Sequence, residues 1–337
     1  MKHRIFLITK LLAIVLAIAA CVFLYLLSIN YFAPHPTVGY IHSEREMPYL
    51  DLDELYQQLE TSSTSLVEAD ASQGGYLQAA QQLVEQNAKI LVVSQDTDTV
   101  DNDLLNFAQA NGLGLILVGR SPSEETMQQY DKMWYVGSSP ALGGELLGSE
   151  ITTAWERGTV VDRNADHLLQ YFVYLSKEGP YYNQMIDSTL LQCEHYGVFS
   201  QCITYLDENQ QPLAFSVEQL SGQEKPELLL VTHAQDARLV FETAQQLGWL
   251  EGDTPTQIAA LAENQLVAQQ LMADDICFAV SYYDTQAITR AVVSVALNGL
   301  DSTYAGEDLS IQPDESGRFW IPFGLLANAE DQQTPSE

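Results

Sequence analysis

The chain has 337 residues, room for roughly two domains of ordinary size. Lys plus Arg number 14 against 45 Asp plus Glu, a net charge of −31, and such a surface repels phosphate backbones, which excludes nucleic-acid binding. Hydrophobic content of 46%, with 17 Tyr, 11 Phe and 4 Trp, is too rich for a disordered acidic chain, so a folded protein is expected.

At the N-terminus Lys2, Arg4 and Lys10 precede an apolar run from Leu11 to Phe32, broken only by Ser28 and Asn30. As a helix these 22 residues span about 33 Å, enough for a bilayer core, and the basic flank stays cytoplasmic. Residues 1–10 are thus a cytoplasmic stub, 11–32 a transmembrane signal anchor, and 33–36 a Pro-containing linker. Two other readings stay open. Ile18-Ala19-Ala20-Cys21 resembles a bacterial lipobox, although Val22 to Leu27 remains apolar beyond the cysteine, and a cleaved signal is the third possibility. All three place the bulk of the chain outside the cytoplasm.

Past the linker, strand-like and helical stretches alternate. Thr37–His42 reads as a strand, Leu52–Glu60 and Tyr76–Asn87 as helices, and Lys89–Val93 as a strand apolar on both faces. A helix over Leu104–Ala110 and a strand over Leu113–Val118 follow. The pattern resumes with Leu169–Leu175 (strand), Tyr181–Tyr196 (helix), Val198–Tyr205, Glu227–Val231, the helix Asp236–Leu247, Ile258–Leu261, Ile276–Ser281 and the helix Ala287–Asn298. Two-faced apolar strands separated by helices mean parallel sheet, and their number exceeds one comfortable sheet, so two doubly wound α/β lobes are expected. The stretch 331–337 is a polar tail.

Cys193, Cys202 and Cys277 fall in the exported part, where disulfides persist. Cys193 and Cys202 have a spacing that suits a bridge from a helix end to the next strand; burial of all three as apolar thiols is the alternative.

The search for catalytic machinery is negative. His3, His35, His42, His167, His195 and His233 show no metal-protease spacing, and there is no Gly-x-Ser-x-Gly elbow or Walker loop. Gly112-Leu113-Gly114 precedes a strand, the wrong order for a dinucleotide site. Asp274-Asp275 is a solvated turn. No enzyme is expected.

Gly119-Arg120-Ser121-Pro122-Ser123, followed by Tyr130-Asp131-Lys132-Met133-Trp134-Tyr135-Val136-Gly137, is similar to the crossover region of the periplasmic galactose/glucose-binding proteins. That family reads Asn-Lys/Arg-Glu-Pro-Ser and then Tyr-Asp-Lys-Ala-Tyr-Tyr-Val-Gly with the same gap. Gln81–Asp96 resembles the preceding helix and strand, and Phe319-Trp320-Ile321-Pro322-Phe323 the last strand, so the resemblance runs from Thr37 to Asn328. It implies the type I periplasmic-binding-protein fold, two lobes closing on a sugar about three hinge crossings. By analogy these fall near Gly137, near Tyr282 and shortly before Trp320, giving an N-lobe of 37–137 plus 283–318 and a C-lobe of 138–282 plus 319–330.

Asp162, Asn164, Asp166 and Gln170 stand at positions 1, 3, 5 and 9 of a loop, with the Leu168 carbonyl at position 7, the alternation of an EF-hand calcium loop. His167 replaces the usual glycine at position 6. The family carries a Ca2+ loop here, completed by a later glutamate, and Glu227 stands at that place. A solvated acidic turn with chance spacing is the other reading.

At the sugar pocket the resemblance fails. The family's ligand asparagine matches Gly119. Its His-x-Asp-x-x-x-Arg set matches Tyr181, Asn183 and Asp187, after Glu178-Gly179-Pro180, so an arginine has become an acid. Its later polar pairs match His233-Ala234, Ala260-Leu261-Ala262 and Tyr282-Tyr283, and an aromatic at the mouth matches Tyr49. Loss of matched donors and acceptors abolishes ordinary hexose affinity, since each unpaired buried polar group costs about 1–3 kcal/mol. The tyrosines and His233 then line an aromatic cleft for another ligand or fill a cleft that binds nothing. The expected function is that of a membrane-attached extracytoplasmic solute-binding protein of the sugar ABC-transporter class with altered specificity, serving a permease or membrane sensor. The alternative is a ligandless, calcium-stabilised interaction or sensory module.

Overall fold

A computed structural model of the chain describes residues 18, 21, 35–43, 49–72, 74–95, 97–175, 180–262, 264–300 and 311–328. Apart from Ile18 and Cys21, the membrane segment expected over 11–32 lies outside these residues, as do Glu178, Gly179 and the tail 331–337. Among the described residues no helix is long and apolar enough to cross a membrane.

The first lobe runs β1 (Thr37–His42), α1 (Leu52–Thr61), β2 (Ser65–Asp70), α2 (Gly75–Glu85), β3 (Ala88–Gln95), α3 (Asn102–Asn111), β4 (Gly114–Gly119), α4 (Glu124–Met127) and β5 (Met133–Gly137). The second holds α5 (Pro140–Arg157), β6 (Leu169–Tyr174), α6 (Pro180–His195), β7 (Ser200–Cys202), α7 (Val217–Leu220), β8 (Leu228–Val231), α8 (Ala234–Gln246), β9 (Gln257–Ala262), α9 (Gln265–Ala273) and β10 (Ala279–Tyr282). The chain then returns through α10 (Thr285–Leu300) and β11 (Arg318–Trp320) to the first lobe, and ends in β12 (Gly324–Ala327) of the second.

The sheets are ordered β11-β5-β4-β3-β1-β2 and β12-β10-β9-β8-β6-β7. All pairings are parallel except β10 with β12. Both faces of each sheet are covered, which is why the central strands read as unbroken apolar runs. Along β3 the alternation is plain: Ile90 and Val92 enter one core, Leu91 and Val93 the other.

Local chemistry sets the helix ends. Asp51 caps α1 through the Glu54 amide at 3.1 Å, and Asp101 caps α3. Gly112 and Gly158 end α3 and α5 in the left-handed region, at φ +64° and +77°.

Three crossings join the lobes: 138–139 between β5 and α5, 283–284 between β10 and α10, and 321–323 between β11 and β12. The third corrects the expectation from resemblance. Arg318–Trp320 pairs in parallel with Tyr135–Gly137 of the first sheet, so the crossing follows Trp320 instead of preceding it.

Candidate functional site

In open parallel sheets, ligands lie at the carboxyl ends of the strands. In the second lobe those ends present Thr232 and His233 after β8, and Leu261 and Ala262 at the end of β9. Tyr181, Tyr182 and Met185 from the first two turns of α6, with Phe323 from the third crossing, complete a mainly apolar pocket. Its volume is about 20 Å3, room for one water. Opposite stand Tyr49, Gly119 at the end of β4, and Arg120.

An aromatic cluster occupies the space between. The Tyr49 and Tyr283 rings meet edge to face at 5.9 Å, and Tyr283 meets Phe323 likewise at 5.5 Å. Tyr181 and Tyr182 stand perpendicular at 5.5 Å, and His233 lies 6.4 Å from Tyr182. The Arg120 guanidinium sits over Tyr181, 5.9 Å from its ring centre. Tyr135 Oη donates to the Gly119 carbonyl at 2.8 Å, and the Ser138 amide donates to Tyr283 Oη at 3.5 Å. Burial pushes the Tyr283 hydroxyl up to about 12 and those of Tyr135 and Tyr181 well above their ordinary 10, so all three stay neutral at physiological pH.

The structure thus brings together Tyr49, Gly119, Tyr181, His233 and Tyr283, and leaves out three residues expected with them. Asn183 is exposed and does not line the pocket. Asp187 is also exposed and lines a separate surface groove with Leu191 and Phe199. Helical periodicity turns both away from the face that carries Tyr181 and Met185. Tyr282 ends β10 with its ring packed in the second lobe's own core, where a Cβ on Gly324 would lie 2.0 Å from it. Sequence reasoning missed Arg120, Tyr135 and Phe323 as cleft groups. All three lie inside the segments that carry the resemblance, but there they read as spacing, not as chemistry.

The Cys193–Cys202 bridge is also corrected. Both thiols are free. Cys193 is buried against α5, its Sγ 3.5 Å from the Gly148 carbonyl, while Cys202 is exposed on the edge strand β7.

The acidic loop folds largely on its own amides. Asp162 Oδ2 accepts from the His167 amide at 2.9 Å, Asn164 Oδ1 from Asp166 at 3.1 Å, and Asp166 Oδ1 from Leu168 at 2.9 Å. Gln170 Nε2 donates to Asp166 Oδ2 at 2.9 Å. Glu227, 2% exposed, accepts from the Arg163 and Gln170 amides at 2.8 and 2.9 Å, clamping the loop to β6. His167 holds φ +64°, the left-handed turn that a glycine would make without strain. The donor chemistry is all oxygen and suits a hard cation, and Asp162 Oδ1 is buried without a partner. Among the described residues no group of three or more His, Cys, Asp or Glu is gathered to hold a metal, so a cation here would also draw on the amide oxygens of Asn164 and Gln170.

Two parallel-sheet lobes joined by three crossings define the type I periplasmic-binding fold. No known family profile matches the chain. The D-galactose/methyl-galactoside binding periplasmic protein MglB of Haemophilus influenzae is 20% identical over 97 residues, an alignment spanning 29% of this chain and 29% of that protein. The D-allose-bound ABC transporter periplasmic solute-binding protein of Actinobacillus succinogenes superposes with a TM-score of 0.59 at 12% identity, covering 87% of this chain and 97% of that one. A structure of a XylFII–LytSN complex contributes a chain matching with a TM-score of 0.57 at 10% identity, covering 88% and 99%.

Proposed function

We propose that the chain is a membrane-attached, extracytoplasmic solute-binding protein of the sugar ABC-transporter class whose cleft has exchanged hydroxyl-binding groups for aromatic ones. The observation that carries this reading is the position of the pocket, at the carboxyl ends of β8 and β9, beside the first turns of α6 and against the third crossing. The walls of Tyr181, Tyr182, His233 and Phe323 favour a solute with a flat or apolar face. Membrane attachment rests on the basic residues Lys2, Arg4 and Lys10 ahead of the apolar run, and a permease or membrane sensor is the partner such a receptor serves.

A second reading is favoured by the volume of about 20 Å3, far too small for a hexose in this closed form. In it the chain is a ligandless interaction or sensory module, and the match to a chain from the XylFII–LytSN complex shows this fold in an assembly with another protein. In either case we propose that the loop of Asp162, Asn164, Asp166, Leu168, Gln170 and Glu227 takes up Ca2+, with the unpartnered Asp162 Oδ1 as the support.

A thermal-shift screen of the full chain in detergent, with hexoses, pentoses, disaccharides, nucleosides and amino acids, separates the two. A saturable rise in Tm that His233→Ala removes establishes a solute receptor. A flat screen on folded protein establishes the second reading.

A further inference from the structure

We propose that an aromatic lock holds the two lobes shut, so that the closed form is the resting state of this chain with no solute in the cleft. The lock has a part from each lobe and parts from the crossings themselves. Tyr49 and Arg120 come from the first lobe, Tyr181 from the second, and Tyr283 and Phe323 from the second and third crossings. Arg120 over Tyr181 bridges the lobes directly. Tyr49 is 8% exposed and Tyr283 1%, and they lie in one continuous core that includes Val92 and Ile116 of the first sheet and Leu228 and Leu230 of the second. Opening at the hinge would bring these rings into water, so apolar burial opposes it.

Two polar groups at the lock agree, whereas Ser138 Oγ beside them is buried without a partner. An ordinary solute site keeps donors and acceptors that only ligand or water satisfies, and water then competes to hold the lobes apart. Here the Gly119 carbonyl is taken by Tyr135 Oη and the Tyr283 hydroxyl by the Ser138 amide. A partner that reads the closed shape is therefore offered it at all times. This reverses the usual sign: a solute entering the cleft must displace aromatic contacts, and so drives the lobes apart instead of together. The inference requires no solute and stands apart from the choice between receptor and ligandless module.

The test is a spin-label distance on the full chain in nanodiscs, in a Cys21→Ser background. The labels sit on the native exposed Cys202 of β7 and on Glu85→Cys of α2, another exposed site. With no solute present, one narrow distance distribution is expected. Tyr49→Ala, confirmed as folded by circular dichroism, displaces and broadens it. Arg120→Ala, a half-exposed site whose truncation opens no core cavity, broadens it to a lesser extent and keeps the test valid if Tyr49→Ala does not fold. A broad, multi-state distribution in the otherwise native protein overturns the lock. So does an unchanged narrow distance in both variants. Neither result touches the solute screen, so the two claims fail separately.

Discussion

Gly119 and Tyr49 fit only as a pair. A Cβ on Gly119 would stand 2.8 Å from the Tyr49 ring and 2.3 Å from the Gln95 carbonyl oxygen, and Gly119 holds φ +102°. The residue where the galactose/glucose-binding family keeps a ligand asparagine is thus a glycine whose bare face receives a tyrosine. Restoring the polar group by Gly119→Asn strains the backbone and collides with both neighbours, so a loss of about 1–3 kcal/mol is expected in urea unfolding. Adding Tyr49→Ala does not rescue it, because the contact with the Gln95 backbone remains. A double variant as stable as Tyr49→Ala alone contradicts this account.

Glu227 gives the calcium proposal a pH signature. Burial raises its carboxyl above the ordinary 4.5, only partly offset by the Gln170 and Arg163 amides that hydrogen-bond to it. Without metal the folded state therefore takes up this proton before the unfolded state does. Glu227's contribution then grows more favourable as pH falls through its folded value and is lost as pH rises. A bound cation needs the carboxylate ionised, so the two effects have opposite sign. The rise in Tm given by Ca2+ over EDTA is expected to shrink between about pH 7 and about pH 5. Equal melting curves with and without EDTA at both pH values, with no metal in the purified protein, remove calcium from the description.

The lobes were more legible in the sequence than the site. Strands such as β3 and β4 announce themselves because both faces are buried. β2 does not, since Ser65–Asp70 is an edge strand of mixed exposure with polar residues on it. α5 was missed because Gly143, Gly144, Gly148, Thr152 and Thr153 are poor helix formers, and tertiary packing overrides that propensity. In the cleft, alignment located Tyr181 and His233 but could not tell which neighbours share their face. Asn183 and Asp187 lie two and six positions beyond Tyr181 and turn outward, and no spacing in the family's motif shows that.

The tyrosines of the lock set an alkaline limit. Burial raises Tyr283 from its ordinary 10 to about 12, so the folded state holds its proton more tightly than the unfolded chain. The stability this gives is complete below pH 10 and is lost as pH climbs towards 12. Tyr283→Phe lacks this loss and flattens the upper part of the stability curve, although the Ser138 amide forfeits its acceptor. Native protein and variant with the same slope of Tm against pH in that range would show that Tyr283 ionises freely.

Thiol titration checks the cysteines without a structure. Burial pushes the Cys193 thiol up to about 11 and Cys277 to about 12, whereas Cys202 is exposed. In the Cys21→Ser background, native protein isolated without reductant is expected to give one rapidly reacting thiol, abolished by Cys202→Ser. No reaction before denaturation and reduction would restore the Cys193–Cys202 bridge.

Two glycines of α5 invert the usual rule for helices. Replacing glycine by alanine in a helix interior normally stabilises by about 0.5–1 kcal/mol, because alanine loses less backbone freedom on folding. Here a Cβ on Gly144 would lie 2.2 Å from the Met185 carbonyl oxygen, and one on Gly148 would lie 2.4 Å from that of Thr189. Both obstacles are backbone atoms of α6, so no rotamer change removes them, and α6 itself must shift. That helix carries Tyr181, Tyr182 and Met185, and any displacement is passed to the pocket and the lock. Gly144→Ala and Gly148→Ala are therefore each expected to destabilise by about 1–3 kcal/mol in urea unfolding and to broaden the interlobe distance. Gly158→Ala supplies the contrast: open space surrounds it, and only its φ of +77° opposes a side chain. It is expected to lower stability without altering the distance. Variants at 144 and 148 that unfold like the parent would mean that α5 and α6 are not in this close contact.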